Sequence, residues 1–304
     1  MKIYDLIIIG AGPAGITASV YAARKQMDFL VITQDIGGQA AWSGDIENYT
    51  GYQFITGPQL TQKFEEHMRK YNTSLKEKEE VLEIKKSGEI ISVKTVKGDY
   101  QARAVIIASG KRSRELGVSG EKEFKNKGLT YCATCDGPLF SGKVVAVIGG
   151  GNSALDAGLQ LVKIAEKVYI INNTPKLNGD AIMRKKLEDS KRVSIFNDTK
   201  VTAVLGDKFV NAIKIKRDGT EEIISLQGIF VEIGLIPNAD FVKDVERNIQ
   251  GEIKINAHNQ TNLAGIFAAG DVTDVPEKQI IIAAGEGSKA CLNIFKYLNS
   301  KTFS

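Results

Sequence analysis

The sequence has 304 residues, room for about two domains at roughly 150 residues each. Its 25% charged and 43% hydrophobic side chains exclude a disordered, collagen-like or disulfide-dense chain. Forty Lys and Arg against 36 Asp and Glu leave a net charge of +4, too small to argue for a nucleic-acid partner.

In chain order, residues 3–9 are predicted to form a buried parallel strand. Gly10, Gly12 and Gly15 then punctuate a turn into a helix over 14–26, and a second strand covers 29–33. Within this opening the longest apolar run, residues 6–9, is far short of a signal-peptide core or of the roughly 20 residues of a membrane span. A cytoplasmic protein with no membrane partner is therefore expected. A polar helix follows over about 58–72, then a strand-rich stretch closing on 104–107. The same grammar returns with a strand at 143–148, a turn carrying Gly149, Gly151 and Ala154, a helix to about residue 165 and a strand at 167–171. Alternating strands run from about 193 to 230, Gly265 to Asp271 closes a further strand, and 290–298 is periodically apolar. The class implied is α/β, with two Rossmann-like, doubly wound dinucleotide-binding domains, the second inserted into the first. The expected boundaries are 1–116 plus 242–304 for the discontinuous domain and 117–241 for the inserted one.

The turn Gly10-Ala11-Gly12-Pro13-Ala14-Gly15 has the GxGxxG spacing. The first glycine permits the tight turn, the second lets backbone approach a pyrophosphate, and the third lets helix pack on strand, with the phosphates at the helix N-terminus. The acidic residue expected after the second strand is not cleanly present, and Asp35 is the candidate ribose contact. Gly149-Gly150-Gly151-Asn152-Ser153-Ala154 fits GxGxxA. After its next strand comes Asn172-Asn173-Thr174-Pro175-Lys176, with neither a carboxylate for a ribose diol nor an arginine cluster for a 2′-phosphate. Asn172 as a 2′-hydroxyl contact favours NADH over NADPH; the competing view is an idle second domain that binds neither.

Cys132-Ala133-Thr134-Cys135 has the spacing of a redox dithiol, in which one thiol pKa is lowered and exchange runs through a mixed disulfide. A structural zinc site wants four ligands, and only Cys291, His67 and His258 remain, all distant in sequence. Asp136 is placed to shuttle a proton to a leaving thiolate, or to cap the turn before Gly137-Pro138. Cys291 reads as a core residue, His67 and His258 as solvated, Trp42 and Tyr49 as pocket lining or packing, and the charged run 76–86 as solvated surface.

Taken together, Gly37-Gly38-Gln39, Glu47-Asn48-Tyr49, the Cys132 to Gly137 motif, Gly270-Asp271 and Lys278-Gln279-Ile280, in that order along essentially the whole chain, resemble the low-molecular-weight thioredoxin reductases, which are flavin disulfide reductases. Cys135-Asp136-Gly137-Pro138-Leu139-Phe140, the segment from Ile229 to Asn238 and Glu246-Arg247-Asn248 look like the reductase part of the alkyl hydroperoxide reductase flavoprotein. That family carries an extra N-terminal thioredoxin-like module; the first strand here begins at Ile3, so a separate carrier is expected to receive the electrons. The resemblance implies FAD held by Gly10, Gly12, Pro13, Ala14, Gly15, Gly38, Gln39, Asn48, Gly270, Asp271, Gln279 and Ile280. It implies a nicotinamide nucleotide at Gly149, Gly151, Asn152, Ser153, Ala154 and Asn172. Cys135 would face the flavin, Cys132 would attack the partner disulfide, and Asp136 would manage the proton. The partner implied is thioredoxin or a thioredoxin-like or glutaredoxin-like protein, reached by domain rotation about linkers near Gly117 and Pro237 in a homodimer. The family's HRRxxxR pattern for NADPH is replaced by Asn172, Asn173, Thr174 and Asn178, while the peroxide-system relatives that use NADH carry a glutamate where Asn172 stands. Two rivals remain at this point: the same fold fed by ferredoxin or another non-nicotinamide donor, and a flavin redox sensor without turnover.

Overall fold

A computed structural model of the protein describes residues 2–43 and 45–300. Its contacts divide the chain into two compact units, Met1–Arg112 with Ile236–Ser304, and Ser113–Leu235. These divisions fall a few residues before the crossings near 117 and 241 expected from glycine and proline placement.

The first unit is built on β1 (Ile3–Ala11). Its unbroken apolar run follows from burial on both faces: Leu6 and Ile8 enter one core, Ile7 and Ile9 the other. The helix α1 (Pro13–Arg24) starts where Gly12 is extended and Pro13 occupies the first turn, a residue whose missing N–H costs nothing there. β2 (Phe29–Ile36) runs parallel to β1, with Leu30 beside Ile7. The helix Gly57–Arg69 is closed at its start by a reciprocal capping box between Thr56 and Gln59. On the other side of β1 lies β3 (Asp99–Ile107), also parallel, with Val105 beside Ile7. An antiparallel hairpin, Val81–Ser87 and Ile90–Thr95, joins the early part of β3.

In the second unit the cysteine motif forms α2 (Ala133–Asp136). Then come β4 (Val144–Ile148), α3 (Asn152–Val162), β5 (Lys167–Ile171) and, after a helix at Ala181–Glu188, the strand Val193–Phe196. β6 (Gly228–Val231) completes a five-stranded parallel sheet in the order Leu129–Thr130, β6, β4, β5, Val193–Phe196. One face packs on α3 through Leu155, Leu161, Val147 and Phe230. The other face is covered by a three-stranded antiparallel sheet, Lys200–Gly206, Val210–Arg217 and Thr220–Ser225, through Ile213, Ile215, Ala146 and Ile229. The alternation of Ile213 and Ile215 with Lys214 and Lys216 is the period-two pattern that gives such a sheet one dry side.

The chain then returns to the first unit. β7 (Ile266–Ala268) adds to the late part of β3, with Ile266 beside Val105. The helix α4 (Ile280–Ser300) packs on α1 so closely that a Cβ on Gly287 would lie 2.0 Å from the Ala14 carbonyl oxygen. Among the described residues no helix is long and apolar enough to cross a membrane.

Candidate active site

The cysteine pair lies in the second unit. Cys132 and Cys135 are joined as a disulfide, their Cα atoms 5.4 Å apart, within the range that a disulfide spans without backbone movement. Cys132 is the extended N-cap of α2, and its Sγ accepts the Cys135 N–H at 3.1 Å. Cys132 is half-buried and Cys135 exposed, while Ala133 between them is buried against the core. The Thr130 hydroxyl donates to the Asp136 carboxylate and accepts the Cys132 N–H at 3.2 Å. Asp136 makes no side-chain cap to the short Gly137–Phe140 turn; its carboxylate is spent on Thr130 instead. The third cysteine, Cys291, is buried in the other unit, where burial pushes its thiol up to about 12.

The second glycine turn sits at the carboxyl end of β4. Gly149 has φ +138° and a Cβ there would meet the Glu232 carbonyl oxygen at 2.1 Å. Gly151 is the extended N-cap of α3 with no side-chain cap bond, and a Cβ on it would meet nothing within 4 Å. The first amides of α3 therefore face open space, the arrangement that receives a phosphate. Ser153 is exposed and Ala154 fully buried. Asn152 Oδ1 accepts the Asp180 N–H at 2.7 Å, and Asn178 and Gly179 donate to the Gly150 carbonyl at 2.7 and 3.1 Å.

Asn172, expected to face a ribose, is turned inward and only 2% exposed. Its Nδ2 donates to Thr174 O at 2.9 Å and Asn197 Oδ1 at 3.0 Å, and its Oδ1 accepts from Thr174 Oγ1 at 3.0 Å. A buried amide must satisfy itself inside the chain, and this one does so beneath Gly150, whose Cβ would lie 2.4 Å from Asn172 Oδ1. Asn173, Pro175, Lys176 and Asn178 are the exposed side chains of this loop.

In the first unit, three separate segments meet at the N-terminus of α1. Gly10 has φ +99°, with the Ala108 carbonyl oxygen 2.4 Å from where a Cβ would stand, and Gly15 would place one 1.8 Å from the Gly10 oxygen. Gly12, between them, has nothing nearer than Gly37 O at 3.9 Å, and no side chain caps the helix. The second segment is Gly37-Gly38-Gln39: the Gly37 N–H donates to Ala11 O at 2.7 Å, and a Cβ on Gly38 would lie 3.5 Å from Gly12 Cα. Gln39 Nε2 donates to Lys111 O at 2.9 Å. In the third, Gly270 would bring a Cβ to 3.0 Å from Ala14 Cβ. Asp271 is half-buried, which pushes its carboxyl up against the downward pull of Lys278 and Lys111, and it accepts no side-chain hydrogen bond from the described residues.

Nearby, Asn48 Nδ2 donates to Gln279 Oε1 at 3.1 Å, joining two residues expected to serve one ligand. Ile280 packs on the small cluster of Ile46, Ile55 and Leu60. Tyr49 packs edge-on to Phe64 at 5.6 Å within that cluster; Trp42 and Asp35 are exposed. Glu252 accepts from Lys111 at 2.8 Å, Lys278 at 3.1 Å and Asn248 at 2.6 Å. Burial pushes its carboxyl up, but those three bonds outweigh it and hold it near about 2.

The family model for pyridine nucleotide-disulphide oxidoreductases matches residues 4–287. The chain belongs to that family. The family binds FAD and a pyridine nucleotide. Among its similar members, a Pseudomonas aeruginosa protein named as an alkyl hydroperoxide reductase subunit is 43% identical over 303 residues, covering 97% of this chain and 58% of that protein. A Ferdinandcohnia aciditolerans protein named NADH dehydrogenase is 39% identical over 303 residues, covering 98% of this chain and 58% of that protein. The chain thus spans 58% of the length of these curated relatives. The crystal structure of Lactococcus lactis thioredoxin reductase superposes with a TM-score of 0.88 at 33% identity, covering 98% of this chain and 99% of that one. The low-molecular-weight thioredoxin reductases are therefore structural neighbours over 98% of this chain, as its motifs imply.

Some residues around these segments go unremarked in the sequence. Thr130 bonds Cys132 and Asp136 and Gln160 bonds Thr134 at the cysteine motif, and Lys111 and Glu252 lie beside Asp271.

Proposed function

We propose that this oxidoreductase is an FAD-dependent disulfide reductase that passes electrons from NADH, through FAD and the Cys132–Cys135 pair, to thioredoxin or a thioredoxin-like or glutaredoxin-like carrier. The observation that carries the reading is the disulfide itself, placed in the same unit as an uncapped glycine turn on a parallel sheet. The discontinuous unit is the FAD-binding part. Its fit rests on the uncapped amides at α1, the close backbone of Gly12 and Gly38, and the unpartnered Asp271 carboxyl, which suits a hydroxyl donor. Gly10, Pro13, Ala14, Gly15, Gln39, Asn48, Gly270, Gln279 and Ile280 complete the set that would hold the group. FAD, when bound, supplies the two-electron chemistry, and the protein contributes position and exclusion of water.

The inserted unit takes the nicotinamide nucleotide at Gly149, Gly151, Asn152, Ser153 and Ala154. NADH is favoured because a 2′-phosphate wants a guanidinium fork. The loop 172–178 contains no arginine, and nearby Arg184 is spent on Leu177 O and Glu188. The similar protein named NADH dehydrogenase points the same way. Two electrons and two protons convert the disulfide to the dithiol, with Cys135 as the sulfur facing the flavin. Cys132 Sγ then attacks the carrier's disulfide, and Cys135 resolves the mixed disulfide, restoring the Cys132–Cys135 bond and releasing a reduced carrier. Asp136, held by Thr130, relays a proton toward the leaving thiolate. The enzyme acts as a homodimer.

The test is anaerobic. Stoichiometric NADH added to the purified yellow protein bleaches the flavin band faster than NADPH does, and Cys132→Ser keeps its flavin while losing carrier reduction. A flavin that dithionite reduces and neither nucleotide bleaches overturns the nicotinamide route, in favour of a one-electron donor such as ferredoxin or of a sensor.

A further inference from the structure

The discontinuous unit contains an ion-paired knot that has no part in the electron route above. Its centre is Glu252, which is only 9% exposed. Glu252 Oε1 accepts from Lys111 Nζ at 2.8 Å and Lys278 Nζ at 3.1 Å, and Oε2 accepts from Asn248 Nδ2 at 2.6 Å. The Lys111 and Lys278 side chains are 12% and 25% exposed, so two cations share one carboxylate largely out of water. Lys111 and Glu252 stand 141 positions apart.

The knot leads into three segments expected to hold FAD. The Lys111 carbonyl accepts from Gln39 Nε2 at 2.9 Å. Ile253, next to Glu252, donates its N–H to Val272 O at 2.9 Å and accepts the Asp274 N–H at 3.0 Å, which fastens the backbone just after Asp271. Lys278 Nζ donates to the carbonyls of Thr273 and, at 2.6 Å, Val275. Thr273 in turn donates to Gly270 O, with its N–H at 3.0 Å and its hydroxyl at 2.8 Å. Gln279 follows Lys278 directly and accepts from Asn48 Nδ2 at 3.1 Å. Gln39, Asp271 and Gln279, far apart in sequence, therefore reach the Glu252 carboxylate through one or two residues each.

We infer that Glu252 is a positioning residue for the flavin: through Lys111 and Lys278 it fixes the segments of Gln39, Asp271 and Gln279 in the arrangement that binds FAD, and so sets flavin affinity. The inference rests on the FAD-dependent reading. An ion pair taken out of water is a poor means of stabilising a fold, because apolar side chains of similar volume do as well or better. What this one supplies is fixed geometry, since its lysines lead to segments assigned to one ligand. Asp271 accepts no side-chain hydrogen bond from the described residues, so its carboxyl is oriented by the backbone that Thr273, Ile253 and Lys278 hold. Removing the carboxylate leaves two ammonium groups with their shared counter-charge gone. Like charges repel, and as Lys111 and Lys278 part, Gln39 and the 271–279 segment lose their common anchor.

The test titrates FAD into the full-length chain after its flavin has been stripped, at neutral pH and well below the melting temperature, and follows flavin fluorescence. Glu252→Gln is expected to raise the FAD dissociation constant about tenfold, and Lys111→Met about threefold. Lys111→Met keeps the carbonyl that Gln39 uses and leaves one cation on the carboxylate, so it carries the test if Glu252→Gln does not fold. Binding and stability are linked, so a fixed concentration of FAD should raise the melting temperature of each variant by less than that of wild type. Variants that melt below wild type by the same margin with and without FAD, and that keep its dissociation constant, reveal a merely structural knot and overturn the inference. A wild-type chain that binds no FAD overturns the flavoprotein reading as well; a wild type that binds FAD beside variants of unchanged affinity sinks only the role of Glu252.

Discussion

The two glycine turns share a spacing and differ in what enforces it. In the first, Gly10 and Gly15 answer to the protein's own backbone, since a Cβ at either would stand 2.4 or 1.8 Å from a carbonyl oxygen. In the second, Gly149 is confined by backbone at 2.1 Å and Gly150 by the Asn172 side chain at 2.4 Å, and Ala154 carries a methyl group where the first turn has Gly15. The middle glycines, Gly12 and Gly151, have open space in front of them in both turns. The outer glycines therefore serve packing, which the middle ones do not. A second parallel follows the strands: Thr33 accepts the Ala11 N–H at 3.1 Å and Asn172 sits beneath Gly150, so each unit spends the polar residue at the end of its second strand on its own turn.

That contrast can be broken by four measurements, taken from the largest effect down. Gly15→Ala forces a methyl into the buried Gly10 carbonyl, and overpacking of this kind costs about 1–3 kcal/mol or more; thermal unfolding should show a large loss with flavin released, whereas Ala154→Gly costs about 1 kcal/mol. A Gly15→Ala protein as stable as wild type would end the distinction. Asn172→Ala leaves Thr174 and Asn197 without their partner and costs about 1–3 kcal/mol, while changing the response to NADH and NADPH by the same factor. A selective change in one nucleotide would return Asn172 to the binding surface.

Gly151→Ala is expected to leave stability within about 0.5 kcal/mol, keep the flavin spectrum, and weaken nicotinamide binding about tenfold, as Gly12→Ala should for flavin retention. The smallest effect separates the units by pH. Glu252, depressed to about 2, lends the first unit stability that is present above the ordinary carboxylate value near about 4.3 and is lost as pH falls toward 2. Glu232, raised to about 8, does the opposite, and its contribution fades as pH rises from about 4.3 through 8. Melting curves of Glu252→Gln and Glu232→Gln across pH 3–9 should therefore approach wild type toward the acid end and part from it by a few degrees in opposite directions toward the alkaline end, Glu252→Gln below wild type and Glu232→Gln above it.

What the sequence shows plainly is what lies contiguous in it. The glycine turns, the cysteine motif and the two-sided burial of β1 each depend on neighbours a few residues away. Asn48 and Gln279 are 231 positions apart, and nothing in either segment announces their hydrogen bond. The bond between Thr134 and Gln160 spans 26 positions, and neither residue announces it. Asn172 misleads for a different reason: composition reveals an amide but not whether its bonding groups face the ligand or the turn. The antiparallel sheet over the second unit was visible as alternating strands, yet not as the layer that replaces helices on one face.

The insertion also imposes a schedule. Val105 of β3 waits for Ile266 of β7, and Ala14 of α1 waits for Gly287 of α4. At a ribosomal pace of about 5–20 residues per second, the roughly 160 residues in between take about 8–32 s to make. Throughout that interval the nascent chain carries Val105, Ile106 and Ile107 as an unpaired apolar strand edge, a template for association with other chains. The order of synthesis makes the last strand and helix the closing event of the first unit, so a truncation or stall beyond the second unit should yield aggregating protein rather than a smaller enzyme.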